Sequence, residues 1–382
     1  MSSGEVTAWH FATREPVLVR WLQGVFSEVA PAAKPPSENL WIAPPLFDVQ
    51  INGFGGVDFQ KDDLSPRQLL QAAQHLRQAG CSKFVPTLIT DEWPRMTRRL
   101  RHLVAARAEW PELESAIAGW HVEGPFLSAE PGFHGAHNPA WMIDATVEKI
   151  AELRTITGND PLLLTLAPER PGSIDAIRFA VSKGIKVSLG HTYASWATLN
   201  VAVAAGATGF THLANGCPRE LDRHDNILWR VFEIQGLFVG LIPDRIHVSD
   251  PLFRLIHRVI PNDSIYYTSD AMSAAGMPPG RYPLGAYELE VGADQIVRQP
   301  GKPLFAGSAL RPIDGVFRAS EMLGCPWQEA WSRYSHNPAR MMGIGQSMAV
   351  GERADFCLLR IDEQGGLVDL KTSVKGAGLI EY

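Results

Sequence analysis

Glu123 in HVEGPF, His191 in SLGHTYAS and His212 in THLANG each follow a short run of β-forming residues. Two imidazoles and one carboxylate with room left for water make an open, catalytic kind of site for one divalent ion such as zinc or ferrous iron. Singly, each residue is weak evidence, because a histidine in a strand is commonly a satisfied core residue and a glutamate in a loop can cap a helix. Their coincidence at the ends of three separate strands favours the metal reading. Asp270, in YTSDAM, ends a further run and is the carboxylate suited to carry a proton from water to a leaving nitrogen. Its plainer reading is a cap for the AMSAAG segment. His247, in DRIHV, is placed to stabilise an oxyanion, against the alternative of a surface histidine.

The elements that must position these residues follow from the pattern. Strand-like runs at 46–51, 83–89, 116–122, 162–166, 185–190, 208–212, 237–242 and 264–269 alternate with amphipathic helical segments, the signature of repeated β-α units. In SPRQLLQAAQHLRQAG, Ser65 can cap a helix, Leu69, Ala73 and Leu76 share a face, and Gly80 can end it; Ser195 and Gly206 repeat that logic in SWATLNVAVAAG. Eight such strands predict a (β/α)₈ TIM-like barrel over 46–344, with an open doubly wound sheet as the rival. In a barrel the site lies where strands end and βα loops begin. Gln50 and Asn52 follow the first strand there. Residues 1–45 and 345–382 carry short alternating runs, so the termini are expected to pair as one small β-domain.

The chain has 382 residues and a net charge of -6, which argues against a general affinity for nucleic acid or anionic membrane. No apolar run approaches the roughly 20 residues of a membrane helix. MSSGEVTAWHF lacks the order of a signal peptide, so a cytoplasmic location is expected. Cys81, Cys217, Cys325 and Cys357 are scattered without a CxxC pair and read as reduced thiols.

The motifs together resemble the N-acetylglucosamine-6-phosphate deacetylases of the amidohydrolase superfamily. They are DVQINGFGG at 48–56, HVEGPF at 121–126, GAHNP at 135–139, SLGHTYAS at 188–195, THLANG at 211–216, DRIHV at 244–248, SDAM at 269–272, PPGRYPLG at 278–285, AGSAL at 306–310, and NPAR followed by GERADF. The resemblance implies a barrel plus a small β-sandwich made from both termini, and hydrolysis of an N-acetyl group from a phosphorylated amino sugar by a homodimer. It matches Glu123, His191 and His212 to the metal ligands and Asp270 to the catalytic aspartate. It assigns His137, Asn215, Gly216 and His247 to the sugar, and Arg223 to the phosphate, often from the partner subunit.

Many relatives in the superfamily have an H-x-H pair after the first strand, where this chain has Gln50 and Asn52. Amides are poor ligands beside imidazole, so one metal is expected, with Gln50 as the candidate for a weak second site. Around Arg223 the segment NGCPRELDRHDNILWR departs from the family pattern, and it also carries Arg219, His224 and Arg230. The alternatives are another N-acyl amino sugar such as N-acetylgalactosamine 6-phosphate, a cyclic amide, or a non-catalytic sugar-phosphate sensor.

Overall fold

The computed structural model describes residues 2–301 and 305–376. The outermost positions of the expected terminal domain, residue 1 and 377–382, lie outside them.

Eight parallel strands stand side by side in chain order. We label them β1 Leu46–Ile51, β2 Cys81–Ile89, β3 Trp120–Glu123, β4 Leu162–Leu166, β5 Lys186–Leu189, β6 Gly209–Phe210, β7 Phe238–Leu241 and β8 Ile265–Tyr267. β1 and β4 are buried along their whole length, as expected of parallel strands covered on both faces. The seam between β8 and β1 closes through a bridge between Ile51 and Ala271. Asp48 closes the rest of it. Its buried carboxylate accepts from Thr268 Oγ1 (2.5 Å), Ser269 N (2.9 Å), Tyr334 Oη (2.8 Å) and Gln50 N (3.2 Å). The expected barrel, not an open sheet, is therefore formed.

The covering helices begin and end where the sequence indicates. Ser65 caps Pro66–Gln78 in a reciprocal box with Gln68, burying Leu69, Ala73 and Leu76. Ser195 caps Trp196–Ala204. The third strand differs from the expected 116–122: Pro111 starts a short helix that runs to Ala116, Ile117 makes an isolated bridge to Phe84, and the continuous strand begins at Trp120.

Strands Gly4–His10, Pro16–Leu22, Val25–Pro31 and Leu40–Ala43 join Phe356–Ile361 and Leu367–Ser373 in one six-stranded sheet, so the two termini share a domain as expected. All its pairings are antiparallel except that of Gly4–His10 with Leu40–Ala43. This sheet folds over on itself. Trp21 and Phe26 meet Phe356 at ring-centroid distances of 5.0 and 6.1 Å although their strands are not neighbours, and Val25 bridges to Arg353. A second antiparallel unit, Gly280–Leu284, Tyr287–Val291 and Val297–Arg298, follows β8 and was not indicated by the sequence pattern. Among the described residues no helix is long and apolar enough to cross a membrane. All four cysteines are free.

Candidate metal centre and its cavity

Glu123 is the last residue of β3, His191 follows β5 and His212 follows β6. Their side chains converge: His212 Nε2 is 2.9 Å and His191 Nε2 3.4 Å from Glu123 Oε1, and the two nitrogens are 3.2 Å apart. All three residues are buried. His191 Nδ1 lies 2.9 Å from the Phe133 carbonyl, which fixes its proton there and leaves the lone pair of Nε2 facing the other two donors. A single proton on His212 can serve only one of the three contacts. A cation shared by all three serves every one, so this donor set fits a divalent ion. Burial opposes the Glu123 charge, but the adjoining imidazoles of His191 and His212 outweigh it and hold the carboxyl well below its ordinary range.

The backbone at these strand ends is held in an unusual conformation. His191, His212 and Asp270 adopt φ of 49°, 30° and 50°, the left-handed region that costs a non-glycine residue roughly 1–3 kcal/mol. Such strain persists only where the surroundings over-determine it, and it turns all three side chains toward one point. Two glycines let flanking loops close on His191. A Cβ at Gly216 would stand 2.7 Å from its Nδ1, and one at Gly135 would stand 2.9 Å from its Cε1.

Asp270, after β8, shares the centre. Gln50 Nε2 donates to Glu123 Oε2 (3.0 Å) and to Asp270 Oδ1 (3.1 Å), and Asn52 Nδ2 donates to the same Oδ1 (2.7 Å). The amide of Gln50 is thus a donor bridge between two carboxylates. Burial and the Glu123 charge push Asp270 up to about 7. His247 Nδ1 lies 2.6 Å from Asp244 Oδ2, whose other oxygen accepts from the main chain of Ile246 and His247. Burial lowers the His247 pKa, but the charge and hydrogen bond of Asp244 outweigh it and raise it. His137 Nδ1 meets Thr90 Oγ1 at 2.8 Å; burial and the charge of His191 push His137 down to about 3, so it stays neutral.

Asn52, Glu123, His137, His191, His212, His247 and Asp270 line a cavity of about 360 Å³ together with Asn215, Gly216, Arg219, Leu284 and Phe305. The Nδ2 of Asn215 is buried there without a partner among the described residues.

No family model matches the chain. The N-acetylglucosamine-6-phosphate deacetylase of Mus musculus is 32% identical over 331 residues, 83% of this chain and 79% of that protein. The chain belongs to the N-acetylglucosamine-6-phosphate deacetylase family. An N-acetylgalactosamine-6-phosphate deacetylase of Escherichia coli O157:H7 is similar at 29%, covering 83% of each chain. Among solved structures, an aspartate-to-alanine variant of the Mycobacterium smegmatis N-acetyl-D-glucosamine-6-phosphate deacetylase, in complex with N-acetyl-D-glucosamine-6-phosphate, superposes with a TM-score of 0.88. It is 26% identical, and the alignment covers 98% of this chain and 99% of that one.

Within this deacetylase fold the structure brings together all but one of the residues singled out from the sequence. Glu123, His191, His212, Asp270, His247, His137, Asn215 and Gly216 face one cavity, and Gln50 bridges the carboxylates. Arg223 does not line it. Its exposed side chain turns to His224, with Nε 3.1 Å from His224 Nε2. Arg230 is a strut: it grips Asp225 with Nε and Nη2, and Nη1 donates to the Tyr193 and Ala194 carbonyls. Sequence reasoning missed Asp244, Phe305 and the orienting role of Gln50 and Asn52. Only Asp244 carried a signal, its i,i+3 spacing to His247.

Proposed function

We propose that this chain hydrolyses N-acetylglucosamine 6-phosphate to glucosamine 6-phosphate and acetate, as its relatives' names describe, with the barrel of 46–344 as the catalytic part and 1–45 with 345–382 as the β-domain. The observation that carries this reading is the convergence of Glu123, His191 and His212 beside Asp270 in one cavity of a chain from this family. The first three residues would hold one divalent cation, zinc or ferrous iron. When bound, such an ion supplies Lewis acidity and acidifies water at neutral pH.

The chain's own groups supply the rest. Gln50 and Asn52 occupy Asp270 Oδ1 and leave Oδ2 to take the proton of the attacking water and return it to the leaving nitrogen. His247, with Nδ1 held by Asp244 and its pKa raised, offers an Nε2 donor for the amide oxygen as negative charge develops on it. Neutral His137 and the unpartnered Nδ2 of Asn215 are suited to sugar oxygens. The inward-turned Gln50 supports a mononuclear site, because its amide nitrogen already serves both carboxylates.

Exposed Tyr193, Trp196 and Trp229, the last bonded to the Arg223 carbonyl, support a homodimer across this rim. In that assembly Arg223 would face the neighbouring copy. The test of the function is acetate release from a panel of N-acetylated hexosamines with and without 6-phosphate, on protein of measured metal content. Turnover confined to N-acetylglucosamine 6-phosphate is expected; absence of acetate from every sugar would overturn the reading.

A further inference from the structure

His191 keeps a backbone φ of 49°, and a non-glycine residue stays in that left-handed region only where the chain on both sides holds it. On the near side the hold is backbone and packing. Gly190 N donates to the Leu166 carbonyl (3.2 Å), and Gly190 is wedged where a Cβ would stand 2.9 Å from Thr165 Cγ2 and 3.0 Å from Thr211 Cβ. On the far side, residues 192–195 lie outside strand and helix, and side chains take over the work.

Glu169 is placed for this by the barrel itself. β4 and β5 run parallel with Leu166 opposite Leu189, and Glu169 and Thr192 each stand three residues beyond that pair. The half-buried carboxylate accepts two hydrogen bonds from the turn: Thr192 Oγ1 donates to Oε2, and Tyr193 N donates to Oε1 at 3.0 Å. Thr192 Oγ1 in turn accepts from Ala194 N (3.0 Å), so one carboxylate and one hydroxyl tie down Thr192, Tyr193 and Ala194 together. Arg230 holds the same turn by its carbonyls, those of Tyr193 and Ala194. Thr192 is buried and directly follows His191, so a shift of the turn swings the imidazole. Glu169 itself is neither among the three converging donors nor part of the cavity lining.

We propose that Glu169 is a positioning residue for the metal centre: by fixing Thr192 and Tyr193 it sets the direction in which His191 presents Nε2 to the cation. This rests on the metal reading above and deepens it. A plain brace for the loop would add stability but leave the affinity for the ion and the geometry of its donors unchanged.

The test is titration of metal-free protein with cobalt(II), whose visible absorption reports the geometry of its donors, in the wild type, Glu169→Ala and Glu169→Gln. Loss of an outer partner of a metal ligand is expected to weaken cobalt binding by about 10–100-fold in Glu169→Ala. The absorption band of the saturated variant is expected to shift. Glu169→Gln keeps an oxygen for Tyr193 N and can donate to Thr192 Oγ1, so it is expected to restore part of the affinity. If Glu169→Ala yields no folded protein, Thr192→Val, which removes one of the two donors, decides by the same two readouts. Affinity and spectrum equal to those of the wild type overturn the role of Glu169 and leave the metal reading standing. A wild type that takes up no cobalt overturns both.

Discussion

At the residue scale the centre is an arrangement of like-charged and lone-pair-bearing groups held closer than they would choose. Glu123 and Asp270 are bridged by one amide, and two imidazole nitrogens face each other at 3.2 Å. Removing the proposed cation by dialysis against a chelator is therefore expected to abolish acetate release, with activity returning on addition of zinc or ferrous iron. Full activity in metal-free protein would sink the assignment. Asp270→Asn keeps the shape but removes the proton acceptor. It is expected to lower kcat by roughly 10²–10⁴-fold with metal content unchanged. Near-normal turnover would exclude Asp270 from proton transfer. Glu123, His191, His212 and Asp270 were legible because ligand-type residues stand at strand ends. Gln50 and Asn52 were read only as poor ligands. What their amides do depends on which carboxylates face them across the barrel, and spacing along a chain does not carry that information.

At the element scale, the strands that carry the site are short, and much of their registration lies in side chains. Asp48 ties β1 to the chain after β8 by accepting from Thr268 and Ser269, and its other two hydrogen bonds come from Gln50 of its own strand and from Tyr334 of a covering helix. Burial pushes its carboxyl up despite those donors. Asp48→Asn turns an NH₂ group toward two donors, and urea denaturation is expected to show a loss of about 2–4 kcal/mol. An unchanged midpoint would mean that the seam is held elsewhere. All eight strands and the caps at Ser65 and Ser195 were legible, since alternating period and capping chemistry are local. The helix over Pro111–Ala116 and the three-stranded unit after β8 were not. The first is too short to show a helical period, and in the second, residues such as Leu284 and Leu289 bury against a small satellite core rather than the barrel.

At the scale of the whole molecule, buried histidines weigh on the acid limb of stability: His137 in the cavity and two others away from it. Burial pushes both His121 and His257 down to about 4. His121 sits between Thr87 and Thr165 inside the barrel, and His257 lies against Tyr267. Their folded values are below the unfolded value near 6.5, so the stability they contribute is present above that pH and is lost as pH falls from 6.5 through about 4. For the fully buried His121 this is on the order of 3 kcal/mol. Asp58, pushed up to about 6 by burial, and Asp270, at about 7, work in the opposite sense, adding stability as pH falls through those values. The expected result is a urea midpoint that, between pH 7 and pH 4, falls less in His257→Asn than in the wild type. Parallel profiles for the two proteins would refute it. The proposed homodimer is tested separately: by sedimentation the wild type is expected to run as a dimer and Trp196→Glu as a monomer, and an equal mass for the two would move the proposed interface off this rim.

The six-stranded sheet has a consequence for biosynthesis. Strands between Gly4 and Ala43 leave the ribosome before the barrel does, yet Ala43 pairs with Cys357 and Phe26 packs on Phe356. The sheet cannot be completed until the entire barrel has been translated. Until then the strands before the barrel keep an edge and an apolar face uncovered, and the segment Phe356–Ser373, made after the barrel, acts as a latch that closes only once the barrel is translated.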